Sequence, residues 1–317
     1  MIGNDIAIAI DLLNQNLPVG IPTETVYGLA GNALNEKAIF AIFSAKNRPF
    51  FDPLIIHVAS IIEAKKYVHN LEGNALKLAQ AFWPGPLTLL LPKKDIIPYL
   101  VTSGSDKVAI RIPNQKTTLK LLTQINYPLA APSANPFGYI SPTNAKHVQE
   151  QLGDKIPYIL DGGECKVGIE STIVDCSDEI PKILRLGGLS VVEIEKVLGI
   201  RSLVALNNNS NPIAPGQLDK HYSPNKKIQI IENFEDSISV FNNIKIGVLS
   251  FGITNLPLSV VEFNLSKSSN MEEAARNLFN YLRQLDNADC DLILTKLLPK
   301  EGLGLAINDR LQRASVK

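Results

Sequence analysis

Cysteine is scarce in this chain, and net charge is absent. Three cysteines, Cys165, Cys176 and Cys290, are spread over 317 residues with no C-x-x-C pair among them. Neither a disulfide framework nor a cysteine zinc site is indicated, no protein-borne metal is expected, and a reduced, cytoplasmic setting fits. Lysine plus arginine and aspartate plus glutamate stand at 31 each, so formal net charge is zero. A general nucleic-acid coat is thereby disfavoured, although a local basic groove stays open. No apolar run approaches the length of a membrane span, so no membrane is expected. The opening apolar stretch contains Asp5 and Asp11 with no basic segment ahead of it, unlike a signal peptide. Gly302-Leu303-Gly304 lacks the rest of a dinucleotide fingerprint.

Hydrophobic residues are plentiful at 45%, and charged residues make up 20%, which suits folded cores. The length suggests two domains. Ile2, Ile6, Ile10 and Leu13 recur at helical spacing and predict an opening amphipathic helix. Pro18 to Pro22 reads as a strand, and Thr23-Glu24-Thr25 to Gly31 as a strand-to-helix turn whose amides and hydroxyls meet a ligand. The plainer alternative makes Thr23 or Thr25 an ordinary helix cap. Asn35 caps a helix through Ala45, and Pro53 to Val58 is an apolar strand covered on both faces. Residues 61–82 read as helical, 87–91 and 107–113 as strands, and 115–125 as a helix. A strand at 128–131 runs into Ser133 and Asn135, and a helix reaches Leu152 with His147 on its exposed side. Strands at 158–160, 169–174 and 181–185 and a helix at 190–198 complete this part. The pattern predicts an α/β fold built on a twisted mixed sheet.

Between these elements lies Lys46-Asn47-Arg48-Pro49. Pro49 disfavours helix at Arg48, and in an extended segment residues two apart point the same way. Both cations can then face one anion; the alternative is a solvated helix end. His57, near the end of its strand, reads as a ligand contact or a satisfied core histidine. Arg111, inside an apolar strand, reads as a paired buried cation or an edge residue in water. From Leu206 to Ser223 the composition turns to Asn, Pro and Gly, as in an interdomain linker, with an odd aromatic pair at His221-Tyr222. Beyond it, strands at 227–231, 245–250, 260–264 and 291–295 and helices at 271–285 and 304–314 predict a small Rossmann-like unit.

Six stretches taken together carry a resemblance: Pro22 to Leu29, Lys46-x-Arg48-Pro49, Val108 to Arg111, Ser133-Ala134-Asn135, Gly168-x-Glu170-Ser171-Thr172 and His221-Tyr222-Ser223-Pro224. In this order they resemble the YrdC/Sua5 family, in its two-domain Sua5 form. The resemblance implies a YrdC-like catalytic domain over residues 1–203, a linker and lid over 204–225, and a Sua5 C-terminal domain over 226–317. It implies an L-threonylcarbamoyladenylate synthase, a nucleotidyltransferase. The enzyme would make threonylcarbamoyl-AMP and pyrophosphate from L-threonine, bicarbonate and ATP, with Mg²⁺ on the triphosphate. Transfer proteins would then modify adenosine next to the anticodon (position 37) in tRNAs reading ANN codons. By the same matching, Lys46, Arg48, Ser133 and Asn135 form a catalytic tetrad at the nucleotide. Thr25, His57, Arg111, Ala131 and Ser171 would hold threonine. Arg48, Asp52, Lys107, Ser133, Ser141, Arg185 and Tyr222 would line the ATP site, with Tyr222 folding back as a lid. Asp52 stands where the family often has Asn, so its carboxylate is expected to face Mg²⁺ or a cation. Two other classes remain: a noncatalytic double-stranded-RNA-binding protein of the same fold, and a carbamoyl-transfer module like those of hydrogenase maturation.

Overall fold

The structure, a computed structural model, describes residues 1–206, 214–216, 221–241 and 244–316. Its first unit runs β1 (Ile2–Gly3), α1 (Ile6–Asn14), β2 (Val19–Ile21), β3 (Gly28–Asn32), α2 (Glu36–Lys46), β4 (Ile55–His57), α3 (Ile61–Ala64) and α4 (Gly73–Phe82). It continues through β5 (Leu87–Pro92), α5 (Tyr99–Thr102), β6 (Lys107–Arg111), α6 (Lys116–Leu122), β7 (Leu129–Ala130), α7 (Ala145–Leu152) and β8 (Tyr158–Leu160). It ends with β9 (Thr172–Asp175), β10 (Lys182–Arg185), α8 (Val191–Leu198) and β11 (Leu203–Val204). The second unit is β12 (Lys227–Ile230), α9 (Phe234–Val240), β13 (Ile246–Ser250), β14 (Val261–Asn264), α10 (Met271–Asn287), β15 (Leu292–Thr295) and α11 (Gly304–Ser315).

The first unit forms one twisted sheet in the order β1-β8-β2-β3-β7-β4-β6-β5-β9-β10-β11, and the second a sheet in the order β12-β15-β13-β14. Parallel and antiparallel pairs mix in the first, whereas every pair in the second is parallel. The apolar run of β5 is buried along Leu87 to Leu91, as expected for a strand covered on both faces. Arg111 lies on β6, which is flanked by β4 and β5. The edge reading for this arginine therefore fails, and it must be paired. Among the described residues no helix is long and apolar enough to cross a membrane.

Several sequence expectations shift. Ile2 pairs with Ile159 in a strand rather than opening the helix, and α1 starts later because the Asp5 side chain accepts from the Ala7 amide. Residues 23–31 are not a strand-to-helix turn: Thr23 to Tyr27 form the connection between antiparallel β2 and β3. The stretch 61–82 breaks into α3 and α4, with Asn70 and Gly73 in the left-handed region (φ 52° and 51°). The short α9 was not foreseen. His147 is buried, not exposed; its ring meets the Thr143 amide and the Asn144 side chain.

The two units share a polar, tightly fitted boundary. Arg283 on α10 donates to the carbonyls of Ile140 and Ser141 and to Gln151 Oε1. The Tyr139 hydroxyl donates to Asp286 Oδ2 at 2.6 Å. Gly168 has φ 81°, and a Cβ there would lie 2.4 Å from the Arg276 Cα, so only glycine permits this approach.

Helix α2 ends at Lys46 and therefore aims the Lys46-Asn47-Arg48-Pro49 stretch. Its N-cap, Asn35, accepts from the amides of Lys37 and Ala38. Asn35→Ala is expected to cost about 1 kcal/mol, read as a lower urea midpoint at unchanged slope. An unchanged midpoint would show that the cap contributes nothing.

Candidate active site

Strand ends build the site. His57 closes β4 and Arg111 closes β6, and the two are register partners in parallel strands. Ala131 and Ser133 follow β7, and Ser171 precedes β9. Around these ends lies a cavity of about 50 Å³. Thr25, His57, Arg111, Ala131 and Ser171 line it, as do Arg48, Ser133, Arg185 and Tyr222. Nine of the residues singled out from the sequence thus converge on one hollow.

The other five do not line it: Lys46, Asn135, Asp52 and Ser141 stand behind its wall, and Lys107 lies further along β6. Lys46 is buried and donates through Nζ to the carbonyls of Ser133 and Asn135, both at 2.5 Å. It is the last helical residue, and Asn47 turns left-handed at φ 52°, so the extended Lys-x-Arg arrangement is not what forms. Asn135 donates its amide to the carbonyls of Pro136 and Tyr139. Asp52 contacts Arg48 at 2.9 Å, so its carboxylate does face a cation. Ser141 donates to Glu170 Oε1 at 2.5 Å. Lys107 pairs with Asp175 at 2.9 Å; it sits four residues before Arg111 on β6, roughly 13 Å along the strand.

The lining cations are restrained. Arg48 donates to the carbonyls of Asp52 and Pro53. Arg185 donates to Ser171 O at 3.0 and 2.9 Å, to Ser171 Oγ at 3.0 Å and to Pro215 O at 3.1 Å. Arg111 gives Nε to Gly85 O and NH1 to Thr25 Oγ1. Its NH2 lies 2.6 Å from Glu24 Oε1, but not in hydrogen-bonding alignment, so NH2 retains unfilled donors. Thr25 is itself fixed by Thr23, whose Oγ1 lies 2.8 Å from Thr25 Oγ1 and donates to Val26 O at 2.6 Å.

Three participants escaped the sequence reading. Glu24 was noticed only as a carboxylate between two threonines, yet it is the buried partner of Arg111. Glu170 lines the cavity, although only its neighbour Ser171 was assigned. His221 joins Tyr222, with ring centroids 4.0 Å apart, and with Pro215 and Gly216 it closes the hollow. Tyr222 stacks on Phe279 of α10 at 5.5 Å. Gln217 and the asparagine-rich tract at 207–211 lie outside the described residues.

Burial sets protonation here. His57 is pushed down to about 3 by burial and then by Arg111, so it is a neutral imidazole whose Nδ1 faces Ile55 O at 3.2 Å. Such a weak base suits binding, not proton abstraction. Burial also lowers Lys46 well below the ordinary lysine range, aided by Arg48, and raises the Tyr222 phenol to about 12.

A closed, mostly buried hollow lined by cations, hydroxyls and a neutral imidazole at strand ends defines an α/β enzyme site for small anionic substrates. The chain belongs to the Sua5/YciO/YrdC family: residues 11–187 match the profile described as "Telomere recombination". Residues 189–316 match "Threonylcarbamoyl-AMP synthase, C-terminal domain". It is 42% identical to the threonylcarbamoyl-AMP synthase of Pyrococcus abyssi, across 98% of this chain and 94% of that one. It is 39% identical to that of Bacillus subtilis, across 98% and 92%. The crystal structure of Pyrococcus abyssi Sua5 complexed with L-threonine superposes with a TM-score of 0.92 at 40% identity, covering 99% of this chain and 97% of the other.

His57, His147 and His221 are all buried and held below their ordinary pKa, chiefly by burial. The unfolded chain takes up protons below about pH 6.5 that the folded chain refuses. Stability is therefore complete above that point and falls as pH drops towards the folded values, about 3 for His57 and about 4 for His147. Each histidine contributes a slope of up to about 1.4 kcal/mol per pH unit. Urea midpoints measured from pH 7.5 to 5.5 are expected to decline; a flat profile would mean these rings take up protons in the fold as readily as in the unfolded chain.

Proposed function

We infer that this chain is an L-threonylcarbamoyladenylate synthase, a nucleotidyltransferase that makes threonylcarbamoyl-AMP and pyrophosphate from L-threonine, bicarbonate and ATP. The observation that carries the reading is Arg111: a cavity-lining guanidinium with unfilled NH2 donors, beside a hydroxyl and a neutral imidazole. An amino-acid carboxylate fills that vacancy with charge-assisted hydrogen bonds. Nε is already engaged with Gly85 O, so the carboxylate meets the NH1/NH2 edge. Thr25 and Ser171 then read the polar atoms of threonine. The near full-length relatives that carry the synthase name, and the threonine-bound relative, support the same assignment.

The threonine amine attacks the carbon of bicarbonate, and loss of water leaves a carbamate. A carbamate oxygen attacks the α-phosphorus of ATP, the α–β phosphoanhydride bond breaks, and pyrophosphate leaves. Every species is anionic, so fixed donors and cations do the catalytic work by position and charge. Arg48, Ser133 and Arg185 face the nucleotide; Lys46 and Asn135 hold the Ser133–Asn135 segment in place behind them. Ser141 and Asp52 act one layer further back, through Glu170 and Arg48, and Lys107 serves only if the nucleotide extends along β6. Mg²⁺ arrives with ATP and is held by phosphate oxygens and water, because Asp52 and Glu170 are already engaged with Arg48 and Arg310.

The present hollow of about 50 Å³ is far below the ~300 Å³ or more of usual ligand pockets. Residues 204–225 therefore act as a lid, and ATP enters by displacing His221 and Tyr222 from the nucleotide half. The product serves transfer proteins that modify adenosine 37 of tRNA. A reduced cytoplasmic setting suits the three free thiols.

The test is incubation with ATP, Mg²⁺, bicarbonate and threonine, omitting each in turn and identifying the adenylate by mass. Adenylate formed without threonine would end the reading. Lys46→Ala is expected to remove contacts of ~1.5–3 kcal/mol, a roughly ten- to hundred-fold fall in kcat/KM. Full threonine-dependent pyrophosphate release in that variant would remove Lys46 from the account. Arg111→Lys loses the planar fork and is expected to raise the threonine KM at least tenfold; an unchanged value would assign the carboxylate to another group.

A further inference from the structure

Among the described residues, the second unit contributes one arginine that contacts two wall residues of the site. Arg310 on α11 is fully buried. Its Nε and NH2 both donate to Glu170 Oε2 at 3.2 Å, and its NH1 donates to Asp309 Oδ2 at 3.0 Å. Its guanidinium carbon lies 5.3 Å from the centroid of the Tyr222 ring. Glu170 is a cavity wall residue, and its other oxygen accepts from Ser141 Oγ. One arginine from the C-terminal unit thus reaches a wall carboxylate directly, a hydroxyl through that carboxylate, and the lid tyrosine through its ring.

We propose that Arg310 is a positioning residue for the nucleotide half of the site: it neutralises Glu170, so that a polyphosphate can approach a wall that would otherwise repel it. This rests on the synthase reading above and adds a task for the second unit. The physical argument is charge. The arginines that line the hollow have other duties: Arg48 contacts Asp52, Arg111 contacts Glu24, and Arg185 is spent on Ser171 and Pro215 carbonyls. Among the described residues, Arg310 is the cation in ion-pair contact with Glu170. Without it, a buried carboxylate would face the incoming nucleotide uncompensated, and removal of one partner from a buried pair is strongly unfavourable. The threonine half, built on Arg111 and Thr25, receives no contact from Arg310 and should be spared.

The experiment compares the full-length wild type with Arg310→Ala, Arg310→Lys and the double variant Arg310→Ala/Glu170→Gln. Steady-state KM for ATP and for threonine, calorimetric ATP affinity and thermal midpoint are measured on each. Arg310→Ala is expected to raise the ATP KM and weaken ATP binding roughly tenfold or more, with the threonine KM changed less than twofold. The double variant is expected to regain most of the ATP affinity, because the uncompensated charge is gone although the interdomain contact is not restored. Arg310→Lys falls between wild type and Arg310→Ala, since it keeps charge but not the fork. A purely structural role would raise both KM values together and would not be rescued by Glu170→Gln; either result overturns the proposal. If Arg310→Ala does not fold, the comparison of Arg310→Lys with the double variant carries the same test. A wild type that binds ATP but forms no threonylcarbamoyl-AMP removes the synthase reading alone. Equal ATP affinity in all folded variants removes the positioning role alone.

Discussion

Cations crowded into a small, buried hollow must each be balanced, yet must still be able to greet an anion. That tension shapes the protein. Arg48 leans on Asp52, Arg111 on Glu24, and Arg310 on Glu170, while Lys46 and Arg185 are held by backbone carbonyls. A buried charge left alone is expensive, so Arg48, Arg111 and Arg310 are each set against a carboxylate, of which Glu170 itself lines the cavity. Arg111 is left incomplete, its NH2 keeping unfilled donors, as are the carboxylates of Glu24 and Asp52 beside their arginines. The place where the fold stops short of satisfying itself is where a substrate is best bound.

The sheet makes this possible. Mixed pairing sets the ends of β4 and β6 near the entrance of β9, while antiparallel β7 lays Ala131 against Ile55 at the start of β4. Four distant chain segments therefore meet without long loops. Tyr222 and the second unit complete the enclosure: the Tyr222 ring is caught between Phe279 of α10 and the guanidinium of Arg310. Any motion of Tyr222 must therefore disturb the boundary between units.

Much of this was readable in the residues. The apolar runs of β4, β5 and β6 and the cap at Asn35 marked their elements within a residue or two, because burial and capping are local signals. The motifs around Thr25, Arg48, Ser133 and Ser171 pointed to residues that do share a cavity. What could not be read was partnership. Nothing near Glu24 in the chain indicates Arg111, and nothing near Glu170 indicates Arg310, which lies 140 positions away. Lys46 looked like a cation for an anion and instead binds two carbonyls, because the left-handed Asn47 turns the chain before the extended geometry can form. His147 looked exposed because its own helix is polar, while burial came from neighbouring elements.

The account turns on whether Arg111 receives the amino-acid carboxylate while the lid yields to the nucleotide. A crystal structure of this chain with L-threonine and a non-hydrolysable ATP analogue tests both at once. The predicted result is a threonine carboxylate on the NH1/NH2 edge of Arg111, its side chain among Thr25, His57 and Ser171, and triphosphate where His221 and Tyr222 now sit. Threonine bound away from Arg111, or nucleotide seated outside this hollow with Tyr222 unmoved, would contradict it.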